Sequence, residues 1–255
     1  MAEAYQADGS WRAKLRRRTV RLAARRPAAA PPGPMASFVF DDAPASAAEI
    51  GAAILERHGL RGSFYIAAAL AGTDAAVGRM AGPDAVRRLA AAGHEIGCHT
   101  YSHLDCGQAD PGDAVEDVAR NAETLGAWGL GRPTTFAYPF GDVAPGAKRA
   151  LAGRFALLRA LHPGLICAGA DLNQAPAVPV EGPGGEALGL TWLRRAARRR
   201  AWVILCMHDV ADAPSPWGCT PATLERLVTA ARELGLEAVT VAEGARRVGR
   251  GTSAP

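Results

Sequence analysis

Residues 37–46 read SFVFDDAPAS. A short apolar run delivers the chain straight into two adjacent carboxylates, Asp41 and Asp42. One aspartate after a strand is ordinary turn chemistry, because its carboxylate accepts hydrogen bonds from nearby backbone amides. Two side by side repel each other, so the pair needs a reason beyond a solvated turn.

Outward from this stretch the same pattern recurs. Short apolar runs at 63–67 (SFYIA), 94–98 (HEIGC), 135–138 (TFAY), 202–207 (WVILCM) and 237–241 (EAVTV) read as strands. Between them lie amphipathic stretches at 83–93, 114–129, 146–154, 186–200 and 221–235 that read as helices. Ser46 and Glu49 have capping-box spacing ahead of a helix that Gly59 ends, and Thr220-Pro221 reads as an N-cap followed by proline at the first helical position. Strand and helix in alternation predict six to eight βα units around a parallel sheet, an α/β fold in one domain.

The 255 residues are 49% hydrophobic and 21% charged, a soluble globular balance. No apolar run reaches 18 residues and the N-terminus lacks a secretory h-region, so the expected location is cytoplasmic. The five cysteines are odd in number and without CxxC spacing, which suggests neither a disulfide framework nor a cysteine zinc site. The formal charge of +4 is uneven. Residues 1–34 hold eight Lys/Arg against two acids, so they carry +6 and leave −2 to the rest. Basic charge is therefore a property of an N-terminal arm and Pro-rich linker (1–34), not of the domain at 35–250, and a nucleic-acid partner is not implied; 251–255 is a tail. Residues 11–26 interleave apolar and basic side chains, as in a helix lying peripherally on an anionic inner-membrane surface or a solvated extension.

In parallel barrels the loops at the carboxyl ends of the strands converge on one mouth. Here four strands end in unusual residues: Asp41-Asp42, then His99 with His103 four residues on, then Pro139-Phe140-Gly141, then His208-Asp209. His99 and His103, with one carboxylate, make a two-histidine, one-carboxylate metal site suited to zinc hydrolysis or to non-haem iron. The second carboxylate then stays free beside the ion as a base, which explains the acidic pair. His208 supplies an acid for the leaving group, because imidazole titrates near neutrality.

These residues resemble the polysaccharide deacetylases, a carbohydrate esterase family that includes chitin, peptidoglycan and chitooligosaccharide deacetylases. The likeness runs from about Ser37 to Val241. Its T-F-D-D-G motif is similar to Phe40-Asp41-Asp42-Ala43, its H-[ST]-x-x-H motif matches His99-Thr100-Tyr101-Ser102-His103, and its last histidine matches His208. The resemblance implies a distorted, TIM-like (β/α) barrel of about seven parallel strands. It implies one divalent ion on Asp42, His99 and His103, Zn2+ first and Co2+, Ni2+, Mn2+ or Fe2+ as substitutes. It further implies Asp41 as base, His208 as acid, the Phe140 amide as oxyanion donor, and an N-acetylated sugar or oligosaccharide as substrate.

Two positions depart from the pattern. Ala43 replaces a glycine, and Ala137 stands where R-x-P-[YF] has the arginine that orients Asp41. Tyr138 and Pro139 of that segment are candidate substrate-binding or orienting residues. Asp171 is a candidate partner for His208 or a turn aspartate, and Trp217 a candidate sugar platform or part of a rigid proline-bounded loop. Two other functions fit the same residues: an amidohydrolase on a small cyclic amide or ureide, and a non-catalytic metal- or carbohydrate-binding protein.

Overall fold

The computed structural model describes residues 19–249. The first 18 residues of the arm, including 11–18 of the stretch read as a membrane contact, lie outside the described residues, as does the tail.

Strand β1 (Met35–Phe40) leads through a π turn (Ala47–Gly51) into α1 (Ala52–Arg57). There follow β2 (Ser63–Ile66), the hairpin β3 (Asp74–Ala75) and β4 (Gly78–Arg79), α2 (Pro83–Ala91), β5 (Glu95–Cys98) and α3 (Pro111–Ala127). The second half runs β6 (Thr135–Ala137), α4 (Pro145–Leu151), β7 (Leu157–Arg159), β8 (Val178–Pro179), α5 (Gly185–Arg199), β9 (Trp202–Met207), α6 (Pro221–Glu233), β10 (Glu237–Ala238) and α7 (Val241–Val248).

Seven strands pair in the order β7-β6-β5-β2-β1-β9-β8, all parallel, and β10 pairs with the start of β1. The sheet curls, and one segment spans its two edges. The Ala175 amide donates to the Leu158 carbonyl of β7 and its carbonyl accepts from the Ala160 amide just past β7 (2.9 Å each), and three residues later Val178 pairs with Leu205 of β9. This is the distorted barrel of about seven strands expected from the sequence.

Alternation along each strand separates two cores. Ala36, Phe38 and Phe40 of β1 pack outward against helices with Leu205 and Met207 of β9. Met35 and Val39 point into the lumen with Tyr65, Ala137, Leu157, Trp202, Ile204 and Cys206. The base of the lumen is polar but satisfied: the buried Ser37 hydroxyl donates to the Val239 carbonyl (2.7 Å) and accepts from Trp202 Nε1 (2.9 Å).

Several local expectations are revised. Ser46 makes no capping bond, because it already has helical backbone; its hydroxyl instead lies 3.4 Å from the Val210 amide that donates to it. Thr220 does cap α6, accepting from the Thr223 amide at 3.1 Å, and Gly59 at φ +70° ends α1. The closing strand keeps only Glu237–Ala238, since Thr240 accepts from the Glu243 amide (3.2 Å) and draws Val241 into α7. Residues 19–34, assigned from sequence to arm and linker, lie on the barrel. Val20, Ala23 and Ala28 are buried, and the Arg26 guanidinium donates to the Phe155 carbonyl (3.1 Å); Leu22 remains 78% exposed. Among the described residues no helix is long and apolar enough to cross a membrane.

Candidate active site

Strand alternation carries the chemistry into the lumen. Continuing the inward register of each strand places Asp41 after Val39, His99 after Gly97 and His208 after Cys206, each just past its strand, and Arg159 after Leu157 at the end of β7. The same parity turns Tyr138 outward, beside Phe136. Four of the expected site residues and Arg159 follow one rule.

The turns at the mouth are unusual. Asp42 (φ +58°), Ala43 (φ +46°), Thr100 (φ +58°), His103 (φ +60°) and Phe140 (φ +58°) are all left-handed without being glycine. Each such residue costs roughly 1–3 kcal/mol, and such strain clusters at functional sites. The family's glycine at position 43 is explained by this backbone. Ala43 adopts it with its methyl buried.

Asp42, His99 and His103 each offer a ligand atom, and these atoms lie within 4.8 Å of one another. Asp42 Oδ1 is 3.4 Å from His103 Nε2 and 3.7 Å from His99 Nε2. His99 Nδ1 is 2.8 Å from the Ala137 carbonyl, to which it donates, so its Nε2 carries the lone pair. Burial pushes the His99 imidazole down to about 4, against the pull of Asp41, so it is neutral near pH 7. Asp42 Oδ1 is buried and has no hydrogen-bond partner. An orphaned carboxylate oxygen facing the lone pair of His99 Nε2 is unfavourable by about 1–3 kcal/mol unless a cation sits between them. The donor set fits a divalent ion of the zinc type.

Asp41 is buried beside this cluster. Burial alone would raise its pKa, but the Arg159 guanidinium, with further help from His99, His208 and the Cys206 thiol, brings it to about 2. Arg159 Nη2 lies 2.5 Å from each carboxylate oxygen, and the Cys206 thiol donates to Oδ2 at 3.3 Å. The orienting arginine missing at position 137 is thus supplied by β7. Arg159 is the register partner of Ala137, one strand over.

His208 Nδ1 is 3.4 Å from the Trp217 carbonyl, which leaves Nε2 available to the cavity. Trp217 is placed by Asp209, whose carboxylate accepts from the Ser215 amide (2.8 Å) and hydroxyl (2.5 Å). A Cβ on Gly218 would fall 2.3 Å from Asp209 Oδ1, so this loop closes only with glycine there. Asp171 is not with His208. It accepts from Lys148 Nζ (2.6 Å) and from the amides of Arg26 and Asn173 (3.0 Å each), pinning residues 24–28 to the barrel. Besides Asp41, the carboxylate that interacts with His208 is Glu181, two residues past β8. Burial raises its pKa, which His208 opposes and Asp41 adds to.

Asp41, Asp42, His99, His103, Glu181, His208, Phe140 and Trp217 line one cavity of about 440 Å³, collared by Leu70, Val77 and Leu161. The Phe140 ring lies edge-on to His103 with centroids 4.5 Å apart. Tyr138 is away from the cavity: its ring is buried in the outer core and its hydroxyl donates to the Asn173 carbonyl (3.1 Å). Pro139 is buried and opens the turn that carries Phe140.

Residues 28–153 match the family model described as polysaccharide deacetylase. Among curated proteins, a gellan lyase from Bacillus sp is 31% identical over 107 residues, 42% of this chain and 4% of that much longer protein. Among solved structures, the chitin deacetylase from Colletotrichum lindemuthianum aligns with a TM-score of 0.61 at 17% identity, covering 88% of this chain and 92% of that one. A family 4 acetyl xylan esterase from Clostridium thermocellum, in complex with a cobalt ion, aligns at 0.56 and 18% identity, covering 82% and 89%. Residues 28–153 thus match the polysaccharide deacetylase model in sequence, and over most of its length the chain has the fold of the chitin deacetylase.

Proposed function

We propose that the chain is a metal-dependent hydrolase that removes acetyl groups from an N-acetylated amino sugar, oligosaccharide or glycan precursor. The observation that carries this reading is the unpartnered Asp42 Oδ1 facing His99 and His103, with Asp41 and His208 lining the same cavity. A divalent ion bound there supplies Lewis acidity and lowers the pKa of water; the cobalt ion in the acetyl xylan esterase, a protein of the same fold, supports such an ion.

The chain's own groups divide the remaining work. Asp41, kept ionised and oriented by Arg159, takes the proton of the attacking water. His208, with Glu181 as counter-charge, gives a proton to the departing amine. The backbone amide of Phe140 is the donor for the developing oxyanion. A cavity of about 440 Å³ with an apolar collar suits a single sugar or the end of a short oligomer. Its modest size also favours a second reading, cleavage of a small cyclic amide or ureide. A binding-only role is disfavoured, because ion binding needs neither the Asp41–Arg159 pair nor Glu181 beside His208.

The test is acetate release from N-acetylated monosaccharides, chitooligosaccharides and acetylated xylan, beside ring opening of small cyclic amides followed by loss of the intact amide, each before and after chelation. Chelator-sensitive acetate release from an N-acetylated sugar is the expected result. Turnover of cyclic amides alone would install the second reading.

A further inference from the structure

One face of α3 grips the histidine loop from outside. Asp117, Arg120 and Asn121 stand at i, i+3 and i+4, so they share that face. Asp117 Oδ1 accepts from the amides of Tyr101 (2.6 Å) and Ser102 (2.9 Å), and Oδ2 from the Ser102 hydroxyl (2.9 Å). The Arg120 guanidinium lies 3.9 Å over the Tyr101 ring. Buried Asn121 donates to the Ile66 carbonyl (2.9 Å) and the Cys98 sulfur (3.2 Å) and accepts from the Ala68 amide (3.0 Å), tying the ends of β2 and β5 together.

On either side of the gripped pair, Tyr101 and Ser102, lie the two residues that bend the loop. Thr100 and His103 are both left-handed, a conformation that neither would hold unaided. The Thr100 hydroxyl accepts from the Leu104 amide (2.8 Å), closing the loop from within. Asp117 satisfies the two consecutive amides that this path turns away from the sheet.

We propose that Asp117 is a positioning residue for the ion site: by fixing the left-handed path from Thr100 to His103, it holds the two imidazoles at the separation a divalent ion needs. This rests on the reading of Asp42, His99 and His103 as ligands. Asp117 touches no ligand atom itself, and its effect is on preorganisation. Groups that orient metal ligands typically account for 10–100-fold in affinity.

The test uses the full chain, stripped of metal and titrated with Co2+ against a chromophoric chelator, with the visible absorption of bound Co2+ reporting ligand geometry. Asp117→Ala is expected to weaken Co2+ binding about 10–100-fold and alter the absorption bands, with far-UV circular dichroism unchanged. Asp117→Asn, which keeps an acceptor for the loop amides, is expected to restore most of the affinity. Asp117→Ala binding within twofold of the wild type would overturn the proposal. Should the alanine variant fail to fold, Ser102→Ala, which removes the bond to Asp117 Oδ2, is read instead, and wild-type affinity and spectrum there would overturn it. A wild-type chain that binds no Co2+ would overturn the ligand reading itself, and the clamp with it.

Discussion

Arg159 stands in register beside Ala137 on the neighbouring parallel strand, and its guanidinium closes on the Asp41 carboxylate from there. Both positions point into the lumen, so an arginine launched from either strand reaches the same carboxylate. The R-x-P-[YF] departure at Ala137 is a relocation of the charge, not its loss.

Arg159→Ala leaves Asp41 buried without its counter-charge. Loss of one partner of a buried pair costs roughly 3–5 kcal/mol in stability, and misplacement of a catalytic group about 100-fold in rate. We expect kcat/KM for acetate release to fall by about that factor. Ala137→Arg in the Arg159→Ala background should recover part of it, since the new side chain starts one strand away. Full activity in Arg159→Ala would show that Asp41 needs no orienting cation.

Glu181 and Asp171 separate cleanly. Glu181→Gln removes a cavity carboxylate that interacts electrostatically with His208, and kcat should drop about 10–100-fold, within the range of general acid catalysis. Asp171→Asn should leave kcat unchanged and lower the melting temperature by several degrees, because Lys148 loses its buried partner. The reverse pattern in a paired kinetic and thermal measurement would restore Asp171 to the site.

Histidine burial sets a pH dependence in the metal-free chain. His99 titrates at about 4 when folded, below its ordinary 6.5, so the unfolded state takes up the proton first. Stability should therefore fall as pH drops from 6.5 to 4, by on the order of 3 kcal/mol from this group, with His94 and His162 shifted the same way. Asp41 acts lower: its depressed pKa contributes stability above 3.8 that is lost as pH falls toward 2. In urea titrations the stability of the wild type should fall more steeply than that of His99→Gln between pH 6.5 and pH 4. Parallel curves would contradict the burial argument.

The strands that reveal themselves in sequence are those with apolar runs long enough to read, and they carry Asp41, His99 and His208. Arg159 and Glu181 escape because β7 is three residues long and β8 only two, too short for periodicity to show. Asp171 is the more visible acid and the wrong one; parity decides, since Glu181 continues the inward register of Ala175 and Ala177. Parity also removes Tyr138 from the site, although it sits in the motif segment. The turn after β1 is legible in residue type but not in geometry, because left-handed backbone at Asp42 and Ala43 has no glycine to announce it.

Asp41→Ala should lose acetate release while keeping its ion, since Asp41 is bound to Arg159 and is not in the ligand cluster. Loss of ion and activity together would make Asp41 a ligand.

The most direct measurement is elemental analysis of the purified chain beside Asp42→Ala, paired with acetate release on the same samples. The expected result is about one divalent ion per wild-type chain, close to none in Asp42→Ala, and activity lost with the ion. A full complement of ion in Asp42→Ala, or undiminished acetate release from wild type stripped of metal, would contradict it.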